Sequence, residues 1–252
     1  ALVGVASPTH AQMEFVQNKG QWPDQVLARG TVGAGAIYLE DDALTYKLVD
    51  QQWADAQHPG VPDGSVPYKA HVYRMELIGS QPPTFSQPRP KPAYHNYFLG
   101  NDSTKWAARC TVSERAHATG VYPNIDLQVY SRAQSLKYDF KVRPGGAVAD
   151  IAFQYNGVDG LSLSEGRLAL ETCLGTVYEL EPYAYQLIDG KLKDVECAYV
   201  LQDGVVTFEV GDYAPAYTLT IDPEVVFASY IGSVSYNFGF TAANDNEGNP
   251  VS

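Results

Sequence analysis

The chain is poor in cations. Lys and Arg number 17 against 29 Asp and Glu, a formal net charge of −12 over 252 residues. Phosphate contacts need clustered positive charge, so a dedicated nucleic-acid binder and a protein steered to anionic lipid are both excluded. Charged residues make up only 18%, too few for a coiled coil or a charged solenoid. No apolar run reaches the ~20 residues of a membrane-spanning helix. Cysteines number three, Cys110, Cys173 and Cys197. An odd count leaves at least one unpaired, and without C-x-x-C there is no basis for a structural zinc site. Cys173 and Cys197 are the pair an oxidising compartment would bridge; the other reading of Cys197 is a small buried hydrophobe on a hairpin face.

Catalytic signatures are missing as well. The five histidines, His10, His58, His71, His95 and His117, have no metal-ligand spacing. His71 alternates with Tyr73, Met75 and Leu77, which predicts packing or a bond to backbone. There is no G-x-S-x-G, no Walker loop and no G-x-G-x-x-G, so hydrolase-elbow, NTPase and dinucleotide readings lack their motifs. The turn at 245–249 lacks the carboxylates of an EF-hand loop. No catalytic residue, metal ligand or cofactor is therefore assigned. The nearest approach to chemistry is a pair of acids, Asp126 and Asp139, on one face of one hairpin, as glycoside hydrolysis would need. Lys141 opposite Asp126, and Lys137 two residues from Asp139, make solvated decoration the stronger reading.

What the chain does have is a β pattern. Hydrophobic residues make up 45%, and Tyr (18) outnumbers Phe (9) two to one. That excess suits sheet surfaces where a ring packs and a hydroxyl stays hydrated. Helical periodicity is almost absent, while period-2 runs recur between Asp-Gly, Glu-Gly and Asn-Gly turns. Three hairpins can be registered. Placing Val129 opposite Tyr138 brings Leu127 to Phe140 and Ile125 to Val142, and a slip of one residue would bury the charges instead. Around Glu165-Gly166, Leu163 meets Leu168 and Leu161 meets Leu170. Around Asp203-Gly204, a turn that wants positive φ, Leu201 meets Val206, Tyr199 meets Phe208 and Cys197 meets Val210. Further strands are expected at 25–32, 35–40, 43–49, 68–78, 177–181, 183–188 and 217–221. The expected fold is all-β, sandwich-like and antiparallel, with about 14 strands.

Two proline-rich loops interrupt the pattern, at 50–67 and 80–93. Proline donates no ladder hydrogen bond, so the second loop is either a crossover between sheets or a boundary between two lobes. Trp22, Trp53 and Trp106 are each read as anchoring a loop to a sheet edge, with a sugar-stacking platform as the alternative. Asn101-Asp102-Ser103 is an N-glycosylation-type triplet. Asp102-Ser103-Thr104 has the acidic-Ser-Thr pattern of some bacterial O-glycosylation.

The ends read differently from the middle. Residues 1–11 are small and apolar, break at Pro8, and precede a signal-peptidase-like cut before Gln12, so they are read as a signal-peptide remnant. Residues 13–222 form the β unit. From 223 to 252 an apolar run ends in the turn Asp245-Asn246-Glu247-Gly248-Asn249 with no partner strand. This is read as the start of a further, truncated repeat.

Several segments together resemble a known family. They are Asn18-Lys19-Gly20-Gln21-Trp22-Pro23, Asn96-Tyr97-Phe98-Leu99-Gly100-Asn101-Asp102, Lys105-Trp106 and Val121-Tyr122-Pro123-Asn124-Ile125-Asp126-Leu127. Leu136-Lys137-Tyr138-Asp139-Phe140, Pro144-Gly145, Pro182-Tyr183-Ala184-Tyr185-Gln186 and Ile221-Asp222-Pro223 complete the set. It resembles the N-terminal β domain of large secreted bacterial proteins that continue into SBBP-type β-propeller repeats. Many of these end in a gliding-motility-associated or type IX secretion sorting domain. The resemblance implies export, a secreted or cell-surface location, and a non-enzymatic structural or adhesion role. Its implied partners are the downstream propeller and a surface glycan or protein. It carries no catalytic residues. Cys173 departs from it, standing where a small hydroxyl residue is expected. A carbohydrate-binding module is the alternative function, and a glycoside hydrolase the third.

Overall fold

A computed structural model describes residues 13–32, 34–57, 64, 66–132, 135–227, 243–244 and 250–251. The signal-like start lies outside the described residues, as does nearly all of 228–252. The chain first lays down β1 (Phe15–Gln17), β2 (Val26–Val32), β3 (Gly35–Glu40), β4 (Ala43–Val49), the short helix α1 (Gln51–Asp55) and β5 (Ala70–Leu77). Next come β6 (Thr84–Ser86), β7 (Tyr94–Tyr97), β8 (Ala107–Ser113), β9 (Arg115–Tyr122), β10 (Ile125–Arg132) and β11 (Ser135–Val142). Then follow β12 (Ala152–Asn156), β13 (Gly160–Ser164), β14 (Arg167–Thr172), β15 (Gly175–Glu179), β16 (Tyr183–Ile188) and β17 (Lys191–Val195). The last are β18 (Cys197–Gln202), β19 (Val205–Val210), β20 (Leu219–Asp222) and β21 (Glu224–Phe227).

These strands form two antiparallel sheets packed as a sandwich. Sheet A runs β18-β19-β12-β5-β4-β3-β2-β1-β8-β7. Sheet B runs β13-β14-β15-β21-β11-β10-β9-β6, with β20 beside one half of β11 and carrying β16 and β17. β2 shows why the strands settle this way. Val26, Ala28, Gly30 and Val32 turn inward, and the residues between them are partly exposed, the period-2 signature of a strand with one buried face. The three registered hairpins pair as expected, Val129 with Tyr138, Leu163 with Leu168 and Leu201 with Val206. Asp203 and Gly204 both take positive φ, 51° and 81°, as a two-residue hairpin turn requires. At Gly35 the demand is for space: a Cβ there would lie 2.1 Å from the Lys47 carbonyl oxygen on the neighbouring strand.

One hydrophobic core joins residues of both sheets, from Phe15 and Tyr46 to Phe140 and Val225. The 80–93 loop is therefore a crossover and no boundary between lobes. It leaves sheet A after β5, lends β6 to the edge of sheet B, and returns as β7. β6 is an outer strand, the place where a proline-rich segment can join a sheet. Sheet B also runs past residue 222, because β21 inserts between β11 and β15. The proposed start of a propeller repeat falls mostly outside the described residues.

Candidate functional site

Polar groups gather in two places, one between the sheets and one on the far side of sheet B. The first centres on Glu179, fully buried at the end of β15. Alternation from Val177 turns this acid inward. The Tyr138 hydroxyl donates to its Oε2 at 2.5 Å, Tyr199 donates to the same oxygen at 3.4 Å, and Tyr155 donates to Oε1. Tyr155 and Tyr199 belong to sheet A, whereas Tyr138 and Glu179 belong to sheet B, so the carboxyl ties the sheets together. Burial pushes the Glu179 pKa up, and this outweighs the three hydroxyl bonds that favour the ionised form. Tyr46 and Tyr73 stack beside this group with ring centroids 4.6 Å apart. Their hydroxyls are buried without a hydrogen-bond partner. Five of the tyrosines thus pack around one interior acid, a use of the tyrosine excess opposite to the half-wet one that composition suggests.

The second group lies on the outer face of sheet B. Ser86 on β6 pairs with His117 on β9, His117 with Gln128 on β10, and Gln128 with Asp139 on β11. Phe140 faces Ile221, so the same register carries Asp139 to Asp222 on β20, which pairs with Tyr183 on β16. One row of side chains therefore crosses five strand boundaries. In the neighbouring row, Lys137 bonds both Asp222 carboxylate oxygens at 3.1 Å and also reaches Glu224 at 3.1 Å. Burial works to lower Lys137, but its two acidic partners outweigh it and the pKa is raised. Burial, and then the charge of Asp222, push Asp139 up to about 7. Lys141 Nζ donates to Gln128 Oε1 at 2.7 Å.

This corrects the picture of a solvated face. Gln128, Lys137 and Asp139 are only 3%, 7% and 4% exposed. The long side chains around the row cover it, among them Arg115, whose guanidinium lies 4.4 Å from the Tyr130 ring centroid. The structure also separates the two acids that the hairpin put on one face. Asp126 accepts from the Gly120 amide at 2.9 Å and pairs with Arg143 at 3.2 Å. The acid that stands beside Asp139 is Asp222, which the sequence presents only as an extended residue before Pro223. Two carboxyls in direct contact are closer than the roughly 5 Å that separates a retaining glycosidase pair.

The remaining candidates scatter. His71 Nε2 bonds the Gly157 carbonyl oxygen at 2.7 Å, and its Nδ1 accepts from the Cys173 amide at 3.3 Å. Cys173 is exposed beside a pocket of about 220 Å³ lined with Asp50, Gln52, Lys69 and Leu174. Cys197 is half-buried and Cys110 buried, and all three are free, so Cys173 and Cys197 are not bridged. Burial pushes the Cys197 thiol up to about 12. Each tryptophan packs on a different ring, Trp22 on Tyr97, Trp53 on Tyr68 and Trp106 on Phe98. Trp106 Nε1 also donates to the Gly100 carbonyl oxygen at 3.2 Å. They share no common platform. Among the described residues, no group of three His, Cys, Asp or Glu could hold a metal ion. None of their helices is long and apolar enough to cross a membrane.

No curated protein and no solved structure matches the chain. One family model does, and it covers residues 15–224, nearly the whole sandwich. The chain belongs to that family, described as a domain of unknown function, DUF7948.

Proposed function

We propose that the chain is a non-enzymatic adhesion or structural module of a larger secreted or cell-surface protein. The observation that carries this reading is an apolar apron at the free β7 edge of sheet A. Phe98, Leu99 and Trp106 are 56%, 76% and 45% exposed, and Tyr94 beside them is also exposed. Apolar side chains grouped at a sheet edge mark a surface that meets another macromolecule. These residues also lie in the segments that resemble the N-terminal domains of SBBP-repeat surface proteins, which supports export and a place beside a propeller domain.

The test is made in the full-length protein on the cell surface. Replacing Phe98 and Leu99 with Ser is expected to leave surface display intact and to weaken attachment. Attachment equal to wild type would remove the reading. A hydrolase activity abolished by Asp139→Asn would replace it with an enzymatic one.

A further inference from the structure

We propose that the outer face of sheet B binds a neutral saccharide along the cross-strand row Ser86, His117, Gln128, Asp139, Asp222 and Tyr183. The proposal rests on the binding-module reading above and names a ligand class for it.

Three buried polar atoms of this row have no hydrogen-bond partner: His117 Nε2, Gln128 Nε2 and Asp139 Oδ1. They occupy three adjacent strands in register. Buried polar groups are nearly always paired, and each one left unpaired costs about 1–3 kcal/mol. Three in one row point to an absent partner.

The chemistry of the three atoms narrows that partner. The Gln128 amide nitrogen only donates. An ionised Asp139 oxygen only accepts. The histidine nitrogen does either, according to tautomer. A cation would satisfy Asp139 and clash with the amide, and an anion would do the reverse. A hydroxyl both donates and accepts, so a ligand carrying several hydroxyls satisfies all three. Asp139, Asp222 and Glu224 together repel an acidic sugar, as does the net charge of −12.

The row also has a ring platform at one end. Tyr183 and Tyr185 stack with centroids 5.5 Å apart, and Tyr183 is 43% exposed. The Tyr183 hydroxyl is fixed by donation to Asp194. Adjacent strands place successive row members about 4.8 Å apart, a step comparable to one pyranose unit. Lys141 now covers Gln128 through a single bond to its Oε1. It is a flexible, half-exposed chain, and its displacement opens the row.

The probe is a panel of soluble neutral oligosaccharides, cello-, laminari-, manno- and xylopentaose among them, titrated calorimetrically against the full chain. At least one is expected to bind wild type. Gln128→Ala and Tyr183→Ala are each expected to bind it about tenfold more weakly, the loss of one good contact. Tyr183 is exposed, so its variant tests the site even if Gln128→Ala fails to fold. No binding by wild type across the panel overturns the proposal, as does equal binding by wild type and the folded variants. Cell attachment without saccharide binding would remove this inference and leave the module reading. Release of reducing ends from a bound saccharide would remove the non-enzymatic reading and leave the site.

Discussion

The Tyr155 hydroxyl of sheet A donates to the Glu179 carboxyl of sheet B, and that bond crosses the middle of the sandwich. Tyr199 makes the same crossing. Removing the acceptor should therefore leave three buried hydroxyls without one. Glu179→Ala is expected to cost at least about 3 kcal/mol, and Glu179→Gln, which keeps an acceptor oxygen, clearly less. Urea unfolding of the two variants distinguishes them. Equal losses would show that only volume matters at this position.

The neighbouring tyrosines give the opposite expectation. Tyr73 already buries a hydroxyl with no partner. Tyr73→Phe should be neutral or slightly stabilising, whereas Tyr155→Phe should cost about 1 kcal/mol or more. Thermal melts of both variants check the contrast, and a larger loss for Tyr73→Phe would refute it.

On the outer face, Lys137 holds two acids while only 9% of its side chain is exposed. Lys137→Met would leave Asp222 and Glu224 without their shared cation. A loss of about 3 kcal/mol is expected, the cost of breaking a buried pair from one side. The double variant Lys137→Met, Asp222→Asn should recover part of it. No recovery would mean that the lysine acts through packing alone.

Asp139 ties stability to pH. Its folded pKa, about 7, stands above the roughly 3.9 of an unfolded aspartate. The folded chain thus holds a proton that the unfolded chain releases. The stability gained is complete below about pH 4 and is lost as pH rises through 7, with a slope of at most ~1.4 kcal/mol per pH unit. Asp222, Tyr130 and Lys141 are the charged or titratable groups shaping it. The difference in unfolding free energy between wild type and Asp139→Asn, measured from pH 4 to 8, should shift steadily toward the variant. A difference independent of pH would show that Asp139 is ionised throughout.

Thiol reactivity follows from placement. Cys173 is exposed, while Cys110 and Cys197 are withdrawn and burial raises both of their thiols. An aromatic disulfide reagent should titrate one thiol in the native protein and three in denaturant. Fewer than three in denaturant, without reductant, would indicate a bridge.

Much of the sandwich was legible because its hairpins are local. The faces of Ile125–Val142, the Asp203-Gly204 turn and the inward Tyr138 and Tyr199 all follow from alternation plus turn chemistry. The polar groups were less legible, for two physical reasons. Glu179 stands two residues after Val177 on an inward face, so the alternation marks it as a buried acid. Its donors, however, come from β11, β12 and β18, and no local pattern brings those together. Asp139 and Asp222 meet only because β20 pairs with β11 across 80 residues of chain. Viewed from the hairpin alone, Asp139 sees Lys137 two residues away and looks solvated. In the folded sheet that lysine turns to Asp222, and the face fills.

The position of β21 has a consequence for how the protein is made. It is the last strand of the sandwich, yet it sits between β15 and β11. Until Glu224–Phe227 emerges, the β13–β15 meander and the β9–β11 meander have no common seam, and each shows a raw edge to other chains. Synthesis or export must therefore deliver the whole stretch before sheet B can close. An expression boundary drawn at Asp222, where the sequence seems to pause before Pro223, would produce a chain with that edge permanently open and prone to aggregate.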